Sequence, residues 1–171
     1  MLHQNKSFRI FTFSVFIIIL IPAMMQQGMF LDGITYSAIS QNLADGIGTF
    51  WNPHYTNTLY PVFYEHPPLV FGIQSIFFKV FGNSFLTENI YSLFTCFLAS
   101  MAIILIWNQP FKNSTQKNWS WIPLLLWIIT PIIGFSFKNN LLENTLSVFT
   151  LFAVYFQIVS IQKNNYFYLV L

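Results

Sequence analysis

Four runs of apolar residues, at about 10–29, 87–107, 120–137 and 144–161, are each long enough to cross a bilayer, which takes about 20 residues of helix. Inside hydrocarbon a backbone must satisfy its own N–H and C=O groups, so runs of this length fold as helices. A fifth run starts at Tyr166 and reaches the last residue, Leu171. A chain that stops within a hydrophobic segment is expected to be the N-terminal piece of a longer product. The composition agrees with membrane residence, with 55% hydrophobic, 20% aromatic and only 7% charged residues, well outside the range of soluble domains. The first run follows Lys6 and Arg9 but is too long for a signal-peptide core and is followed by no small-x-small cleavage site, so it reads as an uncleaved span. The single cysteine, Cys96, lies in the second run and reads as a small helix-packing residue. There are no heptads, no internal repeat, no low-complexity tract and no basic array of the kind that binds nucleic acid.

Topology turns on residues 67–82, an apolar segment of about 16 residues that as a helix would reach only about 24 Å. If it spans, Lys112, Lys117 and Lys163 fall on one side and Lys6, Arg9, Lys79 and Lys138 on the other, with no bias. If it lies in the interface, Lys6, Arg9, Lys112, Lys117 and Lys163 share the inner side, Lys138 alone is outside and Lys79 is interfacial. The positive-inside rule prefers the second arrangement, with a cytoplasmic N-terminus. All five acids, Asp32, Asp45, Glu65, Glu88 and Glu143, then gather at the outer face. Polar groups collected beside a membrane in this way usually mark function.

The outer loop, 30–66, is long enough to need structure of its own. Asp32 is placed to cap a short helix ending near Asp45, with Gly46 as its stop. Its Tyr36, Ile39 and Leu43 form an apolar stripe that we expect to rest on the membrane. An irregular aromatic stretch, Thr49 to Tyr55, follows, and Pro67 and Pro68 then open the interfacial helix. The free N–H groups at that helix start, beside Glu65 and His66, suit an anion such as a phosphate. The expected fold class is therefore all-α, a polytopic transmembrane helical protein with juxtamembrane helices in its first outer loop.

Taken in order, Asp32-Gly33-x-x-Tyr36, the aromatic loop around Asn52-Pro53-His54-Tyr55, Glu65-His66-Pro67-Pro68-Leu69 and Phe77-Phe78-x-x-Phe81-Gly82 resemble the N-terminal part of C-type membrane glycosyltransferases. Within that superfamily the likeness is to the protein mannosyltransferase-like group that includes the aminoarabinose lipid A transferase. It covers nearly the whole chain but only about the first third of a typical member. The resemblance implies a polyprenyl-phosphate-linked sugar donor, a lipid, glycan or protein acceptor, inversion at the anomeric carbon, and residence in a bacterial inner membrane with the site on the periplasmic face. It also implies that later spans complete the donor cavity, so the fragment alone is expected to be inactive.

Asp32 matches the family's first-loop aspartate, placed to act as catalytic base or to orient the acceptor. A hydroxyl is a poor nucleophile until a carboxylate takes its proton, an effect of roughly 10²–10⁴-fold. The second acidic position of the family falls near Glu143, but alignment on the following leucine puts Asn144 at the aspartate's place. Glu143 remains a candidate for positioning the acceptor or a divalent metal, or simply a favourable charge at a helix start. Glu65 and His66 match the pair that meets the donor phosphate in relatives, where some carry Lys at the second position; Lys138 and Tyr36 join them as substrate-binding candidates. Glu88-Asn89 departs from relatives that carry Arg there. The competing class is a non-catalytic membrane protein, such as a transporter fragment or envelope assembly subunit. Transporters hold ionisable groups near mid-membrane; these spans carry only Pro123 and Pro131 and no mid-membrane acid.

Overall fold

The computed structural model describes residues 2–169. Seven helices account for most of them: α1 (Leu2–Met25), α2 (Leu31–Ala44), α3 (Leu69–Phe81), α4 (Phe85–Asn108), α5 (Trp121–Ile128), α6 (Pro131–Lys138) and α7 (Leu142–Lys163). Extended pairing among the described residues is limited to one bridge, Gly48 with Pro53. Three helices, α1, α4 and α7, are long and apolar enough to cross a membrane. Their outward faces carry bare apolar side chains such as Phe13, Ile18, Phe97 and Leu146, which lipid can cover at no cost in hydration.

Side-chain contacts give the directions of the helices. Phe8, near the start of α1, stacks on Trp121 at the start of α5 with ring centroids 4.5 Å apart. At the far end of α1 the Met24 carbonyl accepts from Asn89 of α4, and Leu20 and Met24 pack on Cys96 and Phe137. So α1 and the α5–α6 pair run from one end of the bundle to the other, and α4 returns antiparallel to α1. Tyr91 of α4 hydrogen-bonds Thr145 of α7 at 2.6 Å, both near their helix starts, so α4 and α7 are parallel neighbours. One end of the bundle consequently collects Lys6, Arg9, Lys112, Lys117 and Lys163, and the other collects the five acids.

The third apolar run, read above as a continuous span over 120–137, is broken. α5 and α6 meet at an angle of 71°. Pro131 has no N–H and disfavours helical geometry in the residue before it; Thr130 is extended (φ −70°, ψ 119°) and α6 restarts with the proline in its first turn.

The 67–82 segment forms only 13 helical residues, Leu69–Phe81, immediately after Pro67 and Pro68, a length of about 20 Å. It packs against α2 at the acidic end, where Tyr36 faces Phe71 and the Ser40 hydroxyl donates to Gln74 Oε1 at 3.1 Å. Two expectations for α2 are corrected. Asp32 does not cap the helix: the N-cap is Phe30, and Asp32 sits inside the first turn. The stripe does not rest on lipid either, because Ile39 is fully buried with Tyr36, Phe63 and Phe71. Protein on that side offers aromatic surface that sequence spacing cannot reveal. The stop at Gly46 is as expected: Gly46 is left-handed (φ 79°) and the Ile47 N–H reaches back to the Asn42 carbonyl at 2.8 Å. Of the fifth run, Tyr166–Leu169 makes a single 3-10 turn, and its last two residues lie outside the described residues.

Candidate functional site

The acidic end is organised by a sharp turn between α6 and α7. Asn140 adopts a left-handed conformation (φ 50°), which asparagine tolerates better than most residues. Its buried amide donates to Ser37 Oγ at 3.1 Å and accepts from Ser92 Oγ at 3.2 Å, joining α2, α4 and the turn. The neighbouring Asn139 side chain takes over the capping role, because its Oδ1 accepts the Phe30 N–H at 2.6 Å. Between these clamps the first turn of α2 presses on the backbone. A Cβ added to Gly33 would stand 1.9 Å from the Asn139 carbonyl oxygen, so the glycine after Asp32 is required by close approach and not by its backbone angles.

That docking sets the position of Asp32. It and Glu143, in the first turn of α7, both project exposed carboxylates that accept no hydrogen bond among the described residues. Glu65 is equally exposed and equally unpartnered among the described residues. All three converge electrostatically on Tyr36. Burial holds its phenol above the ordinary tyrosine range, and the charges of Asp32, Glu143 and Glu65 push in the same direction. The phenol is therefore neutral at physiological pH and hydrogen-bonds His66 Nε2 at 3.0 Å.

His66 is half-buried, its ring edge-on to Tyr36 and beside Phe63. Together with Glu65, Pro67, Pro68, Trp51 and Tyr64 it lines an open cavity of about 390 Å³ at the start of α3. The N–H groups of the first helical turn of α3 have no intrahelical partners and face this region with the positive end of the helix dipole. Tyr55 adds a second phenol, 3.4 Å from the Thr35 hydroxyl. The site thus combines free carboxylates, a Tyr–His pair and hydrogen-bond donors against an aromatic wall.

Of the residues singled out from sequence, Asp32, Tyr36, Glu65, His66 and Glu143 are brought together. Lys138 lies at the same end, its ammonium donating to Gln26 Oε1 at 3.0 Å. Asn144 is turned inward: its amide donates to the Ser136 carbonyl at 3.0 Å and its Oδ1 accepts the Ser136 hydroxyl at 2.5 Å, so the side chain ties α7 to α6 and is buried. His54 is spent on the loop itself, bonded to Pro61 and Asn57. Among the described residues no three His, Cys, Asp or Glu side chains are grouped closely enough to hold a metal ion. Sequence reasoning missed Asn139, Asn140 and Tyr55. The Asn-Asn pair just past a basic helix end was a readable signal for a left-handed turn; the role of Tyr55 had none.

No curated protein and no solved structure matches this chain. The family model for dolichyl-phosphate-mannose-protein mannosyltransferases matches residues 65–171, from Glu65 through α7, so that Glu65, His66, Lys138 and Glu143 fall inside the match and Asp32 and Tyr36 precede it. With most of its length matched and its spanning helices arranged around this acidic end, the chain belongs to the dolichyl-phosphate-mannose-protein mannosyltransferase family, a family of membrane glycosyltransferases.

Proposed function

We propose that the acidic end takes part in inverting transfer of a sugar from a polyprenyl-phosphate-linked donor to an acceptor hydroxyl, with Asp32 as the base. The observation that carries this reading is the convergence on the Tyr36–His66 pair of three exposed carboxylates that accept no hydrogen bond among the described residues. A base must be free to take a proton, and Asp32 has no hydrogen bond among the described residues to hold its lone pairs. Its backbone, by contrast, is fixed by the Gly33–Asn139 contact, so the carboxylate is both available and positioned. Glu143, from the other side of the α6–α7 turn, orients the acceptor.

Departure of the sugar leaves negative charge on the donor phosphate. His66 and the first-turn N–H groups of α3 are donors that suit it, and Lys138 supplies a cation on a flexible stem. Glu65 opposes this charge, and its place beside His66 fits a role in orienting the imidazole. The prenyl chain requires an apolar path, which the exposed faces of the spanning helices provide. On this reading the acidic end faces the periplasm, away from the cytoplasmic Lys6 and Arg9.

The test is Asp32→Asn in the protein in membranes, assayed with a polyprenyl-phosphate sugar. The expected result is loss of about 10²–10⁴-fold in transfer with membrane insertion unchanged; full activity in the variant overturns the assignment.

A further inference from the structure

A second cavity, of about 610 Å³, lies at the opposite, basic end of the bundle between α1, α4 and α5, within the size range of small-molecule sites. Arg9 and Lys117 line it, and no acid does. Neither cation has an ion-pair partner among the described residues, and no Asp or Glu lies at that end at all. Trp121 and Asn108 belong to its wall, but the polar atoms they leave without a hydrogen-bond partner among the described residues, Trp121 Nε1 and Asn108 Oδ1, are closed to a ligand in it. The Trp121 ring is held by its stack on Phe8. What the cavity offers a ligand is therefore charge and apolar surface.

Most of the remaining wall is apolar, with Phe13, Phe16, Phe97, Ile104, Leu124 and Ile128 set among small polar side chains such as Thr12 and Ser100. Two cations without an ion-pair partner among the described residues therefore stand above a hydrophobic surface, between helices that border lipid. An amphiphile with an anionic head satisfies every part of this arrangement, whereas a free anion would leave the apolar wall uncovered.

We infer that this cavity binds an anionic phospholipid from the leaflet at the basic end, its phosphate held by Arg9 and Lys117 and an acyl chain lying along Phe13, Phe16 and Phe97. The site is separate from the acidic end. Arg9 and Met25 are the two ends of most of α1, a separation of about 24 Å along the helix. A lipid here would pin α5 to α1 and α4 on the side where α5 is joined only by a short 3-10 turn, Thr115–Trp119.

The experiment is native mass spectrometry of the intact chain released from nanodiscs containing equal amounts of phosphatidylglycerol and phosphatidylcholine. Phosphatidylglycerol is expected to be retained selectively, and Arg9→Gln with Lys117→Gln to weaken it by about 30-fold, from two lost cation contacts. Lys112→Gln, at the same end but outside the cavity, should leave retention unchanged. Ser100→Phe, which puts a ring into the cavity between the acyl-chain wall and α5 and leaves both cations, should weaken it. Inorganic phosphate at millimolar concentration should not displace the lipid. Equal retention of the two lipids by the unmutated chain overturns the inference, as does undiminished retention in Ser100→Phe or complete displacement by phosphate. Sugar transfer is not the readout, so the result stands apart from the assignment of Asp32.

Discussion

The Tyr36 hydroxyl lies 3.0 Å from His66 Nε2, a bond that ties the middle of α2 to the strap leading into α3. It links the two parts of the first loop that resemble functional motifs, thirty residues apart, and it does so at the point where Asp32, Glu65 and Glu143 all act on the phenol.

Replacing Tyr36 by Phe removes this bond while keeping the ring in its cluster with Ile39, Phe63 and Phe71. Stability should fall by about 1 kcal/mol, the usual net value of one such bond, seen as a lower unfolding temperature in detergent. If His66 holds the donor phosphate, KM for the lipid-linked donor should rise about threefold to tenfold, in keeping with the same bond energy.

The pH dependence has a defined sign. The folded phenol titrates above its ordinary value of 10.0, so the folded state holds its proton longer than the unfolded chain does. Its contribution is fully present below pH 10 and is lost as pH rises from there through the raised value. The difference in unfolding temperature between the wild-type chain and Tyr36→Phe should therefore be constant from pH 7 to 9 and shrink above about 10; a difference that grows with alkalinity contradicts the burial of a neutral phenol.

Gly33→Ala tests the docking of α2. The added Cβ would meet the Asn139 carbonyl at 1.9 Å, backbone that cannot move aside cheaply, so a destabilisation of about 1–3 kcal/mol or more is expected. Gly28→Ala is the comparison for backbone strain without a clash, because Gly28 lies outside the helices with a positive φ of 92° and nothing stands within 4 Å of its added Cβ. Thermal unfolding of both variants separates contact from backbone strain.

Asn140 combines a left-handed backbone with a two-sided buried amide. Asn140→Ala should lose both and cost about 2–4 kcal/mol. Asn140→Gly restores the backbone freedom alone and should recover about 1 kcal/mol of that. Equal stability of the two variants would show that conformational strain at this turn is unimportant.

Orientation is testable through cysteine accessibility, helped by the native Cys96 being fully buried. Thr115→Cys should react with an impermeant thiol reagent only after cells are opened, and Asp45→Cys in intact cells. Labelling of position 115 from outside reverses the proposed orientation.

Much of the fold was readable because membrane spans are a local property. Apolar length and flanking charge located α4 and α7 to within about two residues at each end, placed α1 late along the chain (10–29 against Leu2–Met25), separated a basic end from an acidic one, and marked 67–82 as too short to cross. The family resemblance rested on short motifs in order, and the match beginning at Glu65 agrees with it. The break at Thr130 was missed although Pro131 was noted, because a proline in an apolar run is compatible with either a kinked span or two helices, and neighbouring helices select between them.

The sequence by itself determined what the bilayer demands: helices of sufficient length, a charge bias, and acids kept to one end. Only the tertiary structure decided which way α2 faces, why glycine follows Asp32, and that Asn144 is a buried strut while Glu143 is exposed. Those outcomes depend on contacts between residues far apart in the chain, Phe30 with Asn139 and Ser37 with Asn140. No local pattern encodes a partner a hundred residues away, since the energy of a buried hydrogen bond or a close backbone approach exists only once both surfaces have met.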